Sequence, residues 1–257
     1  MPKQLFHELS QLPQVDAIAL GGSRAGEYYD QKSDYDVYVY CKEPVSEDVR
    51  KEILSRYCSY MEIGNHFWEY EDNCVLNSGI DIDILYRDLD GFAEGIKRVV
   101  VQHQAQNGYT TCMWYNLINS RILFDRDGRL SQLQKRFTIP YPQELKKAIV
   151  ERNRNLLRGA MPAYEAQITK AVGRNDVVSI NHRAAEFMAS YFDVVFALNE
   201  QLHPGEKRLI DLCEKNCKLL PENFRQNLER LFSNLFTHPE QVAADIDEIV
   251  TELEKLY

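Results

Sequence analysis

Asp34 and Asp36 stand two residues apart at the start of a run that reads DYDVYVYC through Cys41. On a strand that spacing sends both carboxylates out of the same face. Two like charges on one face repel each other and lose hydration if buried, so the arrangement calls for a cation between them. Hard oxygen donors suit Mg²⁺. Upstream, Gly22 and Ser23 follow the short apolar run Val15 to Leu20 and open a predicted helix over Ser23 to Tyr29. Backbone N–H groups at such a helix start can hold an anionic phosphate. Arg24 comes next, placed either to touch a phosphate chain or to pair with an acid. A phosphate cradle beside a metal-binding carboxylate pair is equipment for attack on the phosphorus of a nucleotide.

More acids follow at the same period. Ile80 to Tyr86 alternates strictly apolar and polar, with Asp81 and Asp83 on one face. Together with Phe67 to Leu76 and the turn Asn77-Ser78-Gly79 it reads as a hairpin. Aspartate is depleted in strands, so two in succession ask for a reason. The functional reason is that one of them joins Asp34 and Asp36; the plain alternative is a solvent-facing acidic strand.

An apolar strand, Leu20-Gly21-Gly22-Ser23-Arg24, about ten residues, and then Ser33-Asp34-Tyr35-Asp36-Val37 resembles the signature of the DNA polymerase beta-like nucleotidyltransferase superfamily. In that superfamily the third carboxylate comes from a strand like the one at 80–86, and the Asp-Ile-Leu-Tyr end favours Asp83 over its competitor Asp81. The overall plan also resembles the aminoglycoside and lincosamide nucleotidyltransferases, in which a small catalytic α/β domain precedes an all-helical one. By motif the likeness covers residues 15–90, and beyond them only the architecture.

The elements around the motif fit that plan. Leu5, Phe6, Leu9 and Leu12 lie at helical spacing before Pro13, and Ser46 to Ser59 reads as a helix with Val49, Ile53, Leu54 and Tyr57 on its apolar side. On the Asp34–Cys41 strand, Tyr38 and Tyr40 share the face of the aspartates, and Val37 and Val39 take the other. Helices follow over Asp88–Ala105 and Tyr109–Asn119, then a short strand at Ile122–Asp125, a plain turn, and a helix over Leu130–Phe137. Trp114 and Tyr115 are assigned to the core. Pro140-Tyr141-Pro142 is the clearest break, and beyond it helical periodicity dominates. Helices are predicted over 143–172 (kinked at Pro162), 176–202, 205–217, 221–236 and 239–256. The fold class is therefore α+β: an N-terminal mixed sheet flanked by helices over 1–139, and a C-terminal all-α bundle over 140–257.

Composition narrows the partners. A net charge of −9 over 257 residues argues against a nucleic-acid footprint and suits a small neutral or cationic acceptor. No apolar run approaches a membrane span, and the start of the chain lacks a signal peptide's apolar core, so the expected location is the cytoplasm. The six cysteines form no Cys-x-x-Cys pair and read as free thiols. His182 and Glu186 share a helical face and read as a structural pair. Lys207 and Arg208 sit at a helix start, where the dipole disfavours cations; either a nearby anion such as a triphosphate offsets that, with Lys207 as the contact, or the segment is a solvated turn.

What the resemblance implies is transfer of a nucleoside monophosphate, AMP from ATP by default, to an acceptor hydroxyl with release of pyrophosphate. Asp34 and Asp36 would hold two Mg²⁺ ions, and Asp83 would ligate the second or take the acceptor's proton. Gly22 and Ser23 would hold the β- and γ-phosphates, with Arg24 and Lys207 as charge partners. The acceptor would be a small molecule, an antibiotic among the options, bound in a cleft between the domains. Two other readings compete: a protein adenylyltransferase of the antitoxin type, and a nucleotide-binding module without turnover. Antitoxin-type enzymes are usually shorter, and inactive relatives tend to lose the acids that this chain keeps.

Overall fold

The computed structural model describes residues 2–26, 33–67 and 69–257. Two compact units make up the chain: Met1–Lys97 with Asn116–Ile139, and Arg98–Tyr115 with Pro140–Tyr257.

The first unit runs α1 (Lys3–Gln11), β1 (Val15–Leu20), α2 (Gly22–Ala25), β2 (Tyr35–Cys41), α3 (Glu47–Leu54), β3 (Cys58–Asn65), β4 (Glu71–Leu76), β5 (Asp81–Arg87) and α4 (Leu89–Val100), and after α5 (Cys112–Asn119) it closes with β6 (Arg121–Asp125) and α6 (Arg129–Phe137). Among the described residues the strands form one sheet in the order β3-β4-β5-β2-β1-β6. Only β2 and β5 pair parallel; the other neighbours are antiparallel. The sheet is thus mixed. Of the predicted helix Ser23–Tyr29, the part at 27–29 lies outside the described residues, as does Trp68 of the predicted strand Phe67–Leu76.

Period-2 alternation on β2 divides the sheet's two faces. Val37, Val39 and Cys41 join Val15, Ile18 and Leu20 of β1, Ile82 and Ile84 of β5, and the apolar sides of α1 and α3 in one core. Each of these side chains is worth about 1.5–3 kcal/mol when fully buried. Asp36, Tyr38, Asp83 and Arg87 fall by the same alternation on the other face.

Around α3 the structure departs from the reading of the sequence. The helix stops at Leu54, and Cys58 opens the edge strand β3. Met61 and Ile63 turn toward the core while Tyr60 stays exposed, a period of 2 that the helical spacing just upstream obscures. Ser46 precedes the helix without a side-chain capping bond. Val49 is exposed, and Arg50 is wholly buried instead. Its guanidinium meets the buried carboxylate of Asp72 and the hydroxyl of Tyr70, and lies over the Tyr70 and Tyr86 rings. A buried charge is tolerated only with such pairing.

The second unit is a helix bundle: α7 (Gln143–Leu157), α8 (Tyr164–Val172), α9 (Val177–Leu198), α10 (Leu209–Asn216), α11 (Phe224–Thr237) and α12 (Val242–Glu254). Its core is built on α9, whose Ile180, Ala184, Phe187, Tyr191, Val194 and Val195 meet apolar residues of the other helices. Asp176 caps α9 by accepting from the Ser179 amide at 3.0 Å. Pro162 does not kink one long helix; it lies in the connection between two separate ones, α7 and α8.

Buried polar groups fasten Arg98–Tyr115 to this unit. Asp193 of α9 accepts from the Thr110 amide (3.0 Å) and hydroxyl (2.6 Å), and from the Asn153 side chain of α7 (3.1 Å). Asn153 in turn accepts from the Gly108 amide at 3.1 Å. Gly108 has φ +86°, and a Cβ there would stand 2.7 Å from that of Ala189. Among the described residues no helix is long and apolar enough to cross a membrane, and the cysteines are free thiols.

Candidate active site

Asp36 and Asp83 are direct partners on the parallel strands β2 and β5. Equal register and equal pleat put both side chains on one face, and Asp34 precedes β2 by one residue. One carboxylate oxygen from each of Asp34, Asp36 and Asp83 lies within 4.8 Å of the other two. All three residues are partly buried. Asp81, two residues back along β5, is exposed opposite Val75 and is not in the group. Three carboxylates this close repel strongly unless a cation intervenes, and a donor set made only of hard oxygens fits Mg²⁺ rather than a soft metal.

The turn after β1 is shaped against this cluster. The Gly21 amide donates to the Asp36 carbonyl at 2.8 Å. A Cβ on Gly21 would stand 2.2 Å from the Tyr38 ring. Gly22 has φ +57°, and a Cβ on it would stand 1.6 Å from Oδ2 of Asp36. Only glycine lets the chain turn that close to the carboxylate. Ser23, partly buried, and Arg24 belong to the single turn α2. Nε of Arg24 donates to the carbonyl oxygens of Ser33 (2.6 Å) and Asp34 (3.0 Å), and its guanidinium lies 4.1 Å from the centre of the Tyr35 ring. Arg24 therefore grips the backbone that presents Asp34. Lys207 belongs to the second unit, exposed in the turn ahead of α10.

Further along the same sheet face the polar groups are paired. Arg87 makes a two-pronged contact with Glu69 (2.8 and 2.6 Å), donates to Asn116 at 3.1 Å and lies 4.0 Å from the centre of the Tyr38 ring. Asn116 donates to the Tyr38 hydroxyl at 2.7 Å. Burial pushes that phenol up to about 12, with the nearby Arg87 charge opposing, so Tyr38 stays neutral and serves as a floor for Gly21. Asn73 of β4, opposite Asp83, donates to its Oδ1 at 2.8 Å. Asn73, Asn116 and the Arg87–Glu69 pair were not legible as site residues. The signal that could have found Asn73 is the one that exposed Asp83, a residue depleted in strands placed mid-strand.

Elsewhere, Glu186 accepts from the Tyr164 hydroxyl at 3.4 Å, and among the described residues no second cluster of metal-ligating side chains forms around it and His182. Trp114 is buried against Tyr141, as expected for a core residue.

Residues 2–104 match the family described as "Nucleotidyltransferase domain", and residues 111–209 match one described as "Domain of unknown function (DUF4037)". No curated protein matches the chain. Among solved structures, the chain is similar to a nucleotidyltransferase-like protein from Exiguobacterium sibiricum (11% identity, 99% of this chain and 72% of that one, TM-score 0.45). A second is an aminoglycoside 6-adenyltransferase from Bacillus subtilis (9% identity, 100% and 89%, TM-score 0.32). Both likenesses are distant. Residues 2–104 carry a nucleotidyltransferase domain, and that domain makes the chain a transferase.

Proposed function

We propose that the chain transfers a nucleoside monophosphate, AMP from ATP, to a hydroxyl of a small-molecule acceptor. The observation that carries this is the convergence of Asp34, Asp36 and Asp83 beside the Gly21-Gly22 turn. Asp34 and Asp36 would hold two Mg²⁺ ions, with Asp83 as a further ligand. The group held there would lower the pKa of the acceptor hydroxyl and offset charge on the departing pyrophosphate. The acceptor oxygen forms a bond to the α-phosphorus as the bond from that phosphorus to the bridging oxygen breaks. Pyrophosphate leaves, and the hydroxyl proton goes to Asp83 where that residue is not engaged as a ligand. The Gly22 backbone and Ser23 hold the β- and γ-phosphates. Arg24 acts mainly by fixing Asp34. Alignment and electrostatic stabilisation supply most of the rate, as in phosphoryl transfer generally.

A net charge of −9 favours a neutral or cationic acceptor over a polyanion. The test is pyrophosphate release from ATP labelled in its α-phosphate, with Mg²⁺, across a panel of aminoglycosides, lincosamides and cell metabolites. The expected result is release that depends on one small molecule, which then carries the label. Label on a protein band from a lysate would replace the small-molecule acceptor with a protein one. ATP binding without release under any acceptor would reduce the domain to a nucleotide-binding module.

A further inference from the structure

A line of amides and acids crosses the sheet from the carboxylate cluster to its edge. Asp36 of β2 faces Asp83 of β5, Asp83 faces Asn73 of β4, and Asn73 faces Glu62 of β3. From Asn65 inward the hydrogen bonds run toward Asp83. Nδ2 of Asn65 donates to Oε2 of Glu62 (3.0 Å) and to Oδ1 of Asn73 (2.8 Å), and Nδ2 of Asn73 donates to Oδ1 of Asp83 (2.8 Å). The Tyr60 hydroxyl donates to the other Glu62 oxygen at 2.7 Å.

This polarity decides which way the Asn73 amide faces. Its oxygen is taken by Asn65, so its N–H group is what it offers to Asp83. A flipped amide would set oxygen against carboxylate at one end and N–H against N–H at the other. The donor on Oδ1 fixes the rotation of the Asp83 carboxylate, which otherwise turns broadly about its last bond. Asp34 and Asp36 are held by the chain that bears them, through Arg24 and the Gly21 amide. Among the contacts described here, Asp83 gets its orientation from a neighbouring strand.

We propose that Asn73 is a positioning residue. It orients Asp83 toward the divalent ion, and Asn65 with Glu62 holds it in the donating sense. This rests on the metal-dependent reading above. Hydrogen-bond partners behind metal ligands typically contribute about 10–100-fold in affinity.

The experiment is Mn²⁺ binding to the full chain without nucleotide, followed by electron paramagnetic resonance, for wild type, Asp36→Asn, Asn73→Ala and Asn65→Ala, with thermal melting alongside. The expected order is wild type tightest, Asn65→Ala weaker, Asn73→Ala weaker by about tenfold or more, and Asp36→Asn without specific binding. Wild-type-like Mn²⁺ affinity in Asn73→Ala, with Asp36→Asn binding lost, overturns the positioning role and leaves the metal site standing. Absence of Mn²⁺ binding in the wild type overturns both. If Asn73→Ala fails to fold, Asn65→Ala decides: unchanged affinity there rejects the relay, and a weakened one with an unchanged melting curve supports it.

Discussion

Gly22 and Asp36 leave no room between them for a methyl group: a Cβ on Gly22 would lie 1.6 Å from Oδ2 of Asp36. Backbone strain and steric exclusion coincide at this position, and they can be separated. Gly79 has φ +80° and nothing within 4 Å of the position a Cβ would take. Alanine in the left-handed region costs about 1–2 kcal/mol at either site. Gly79→Ala should therefore lower the melting temperature by a few degrees and keep nucleotidyl transfer. Gly22→Ala should show a similar melt and lose transfer, because Asp36 must rotate away. Equal activity in the two variants would show that the carboxylate is not needed where it stands.

Asp83 and Asp81 offer a second internal control on one strand face. Asp83 reaches the carboxylate cluster and Asp81 is exposed. Asp36→Asn and Asp83→Asn should each reduce turnover by about 10³-fold with the fold retained. Asp81→Asn should remain within about twofold of wild type, as exposed substitutions do. Steady-state pyrophosphate release at saturating ATP measures all three. Wild-type turnover in Asp36→Asn would remove the metal role.

Arg24 grips two successive carbonyls with Nε and stacks on Tyr35. A lysine keeps the charge and loses both the in-plane donor and the flat face. Arg24→Lys should lower turnover and raise the Mg²⁺ concentration needed for half-maximal activity, with KM for ATP changed less. A rise in KM for ATP alone would assign Arg24 to the triphosphate instead.

Two buried groups of the second unit pull stability in opposite directions with pH. Burial pushes Asp193 up to about 7, with its three hydrogen-bond donors opposing, and pushes His203 down to about 4. His203 is wholly buried between the Tyr109 and Phe196 rings. The Asp193 contribution is full below the unfolded aspartate value of about 3.9 and is lost as pH rises toward 7. The His203 contribution is full above the unfolded histidine value of about 6.5 and is lost as pH falls toward 4. Between these limits the slopes, about 1.4 kcal/mol per pH unit each, nearly cancel. His203→Gln should therefore unmask a fall in stability with rising pH from 4.5 to 6.5 relative to wild type, read from amide exchange on α9 in urea. An unchanged slope would mean that His203 is protonated in the folded chain.

The sequence by itself determined the two-part plan, the strand that bears Asp34 and Asp36, and the glycine turn before it, because period-2 and period-3.6 patterns and turn residues are local. It also put Asp81 and Asp83 on one face. Only the fold decided between them, since the choice depends on the parallel register that sets Asp83 against Asp36. The edge strand β3 was hidden for a related reason: a strand seated on one core face shows a faint pattern when a helix with its own apolar spacing runs directly into it. Asn73 and Asn65 are ordinary polar residues in sequence, and they acquire a role only because antiparallel pairing carries them to within hydrogen-bonding distance of each other and of Asp83. The attachment of residues 98–115 to the helical unit is likewise tertiary. It rests on Asn153 and Asp193, buried polar groups whose partners lie tens of residues away in the chain. Periodicity reports which face of an element is apolar; contacts across the sheet and between helices decide which polar groups meet.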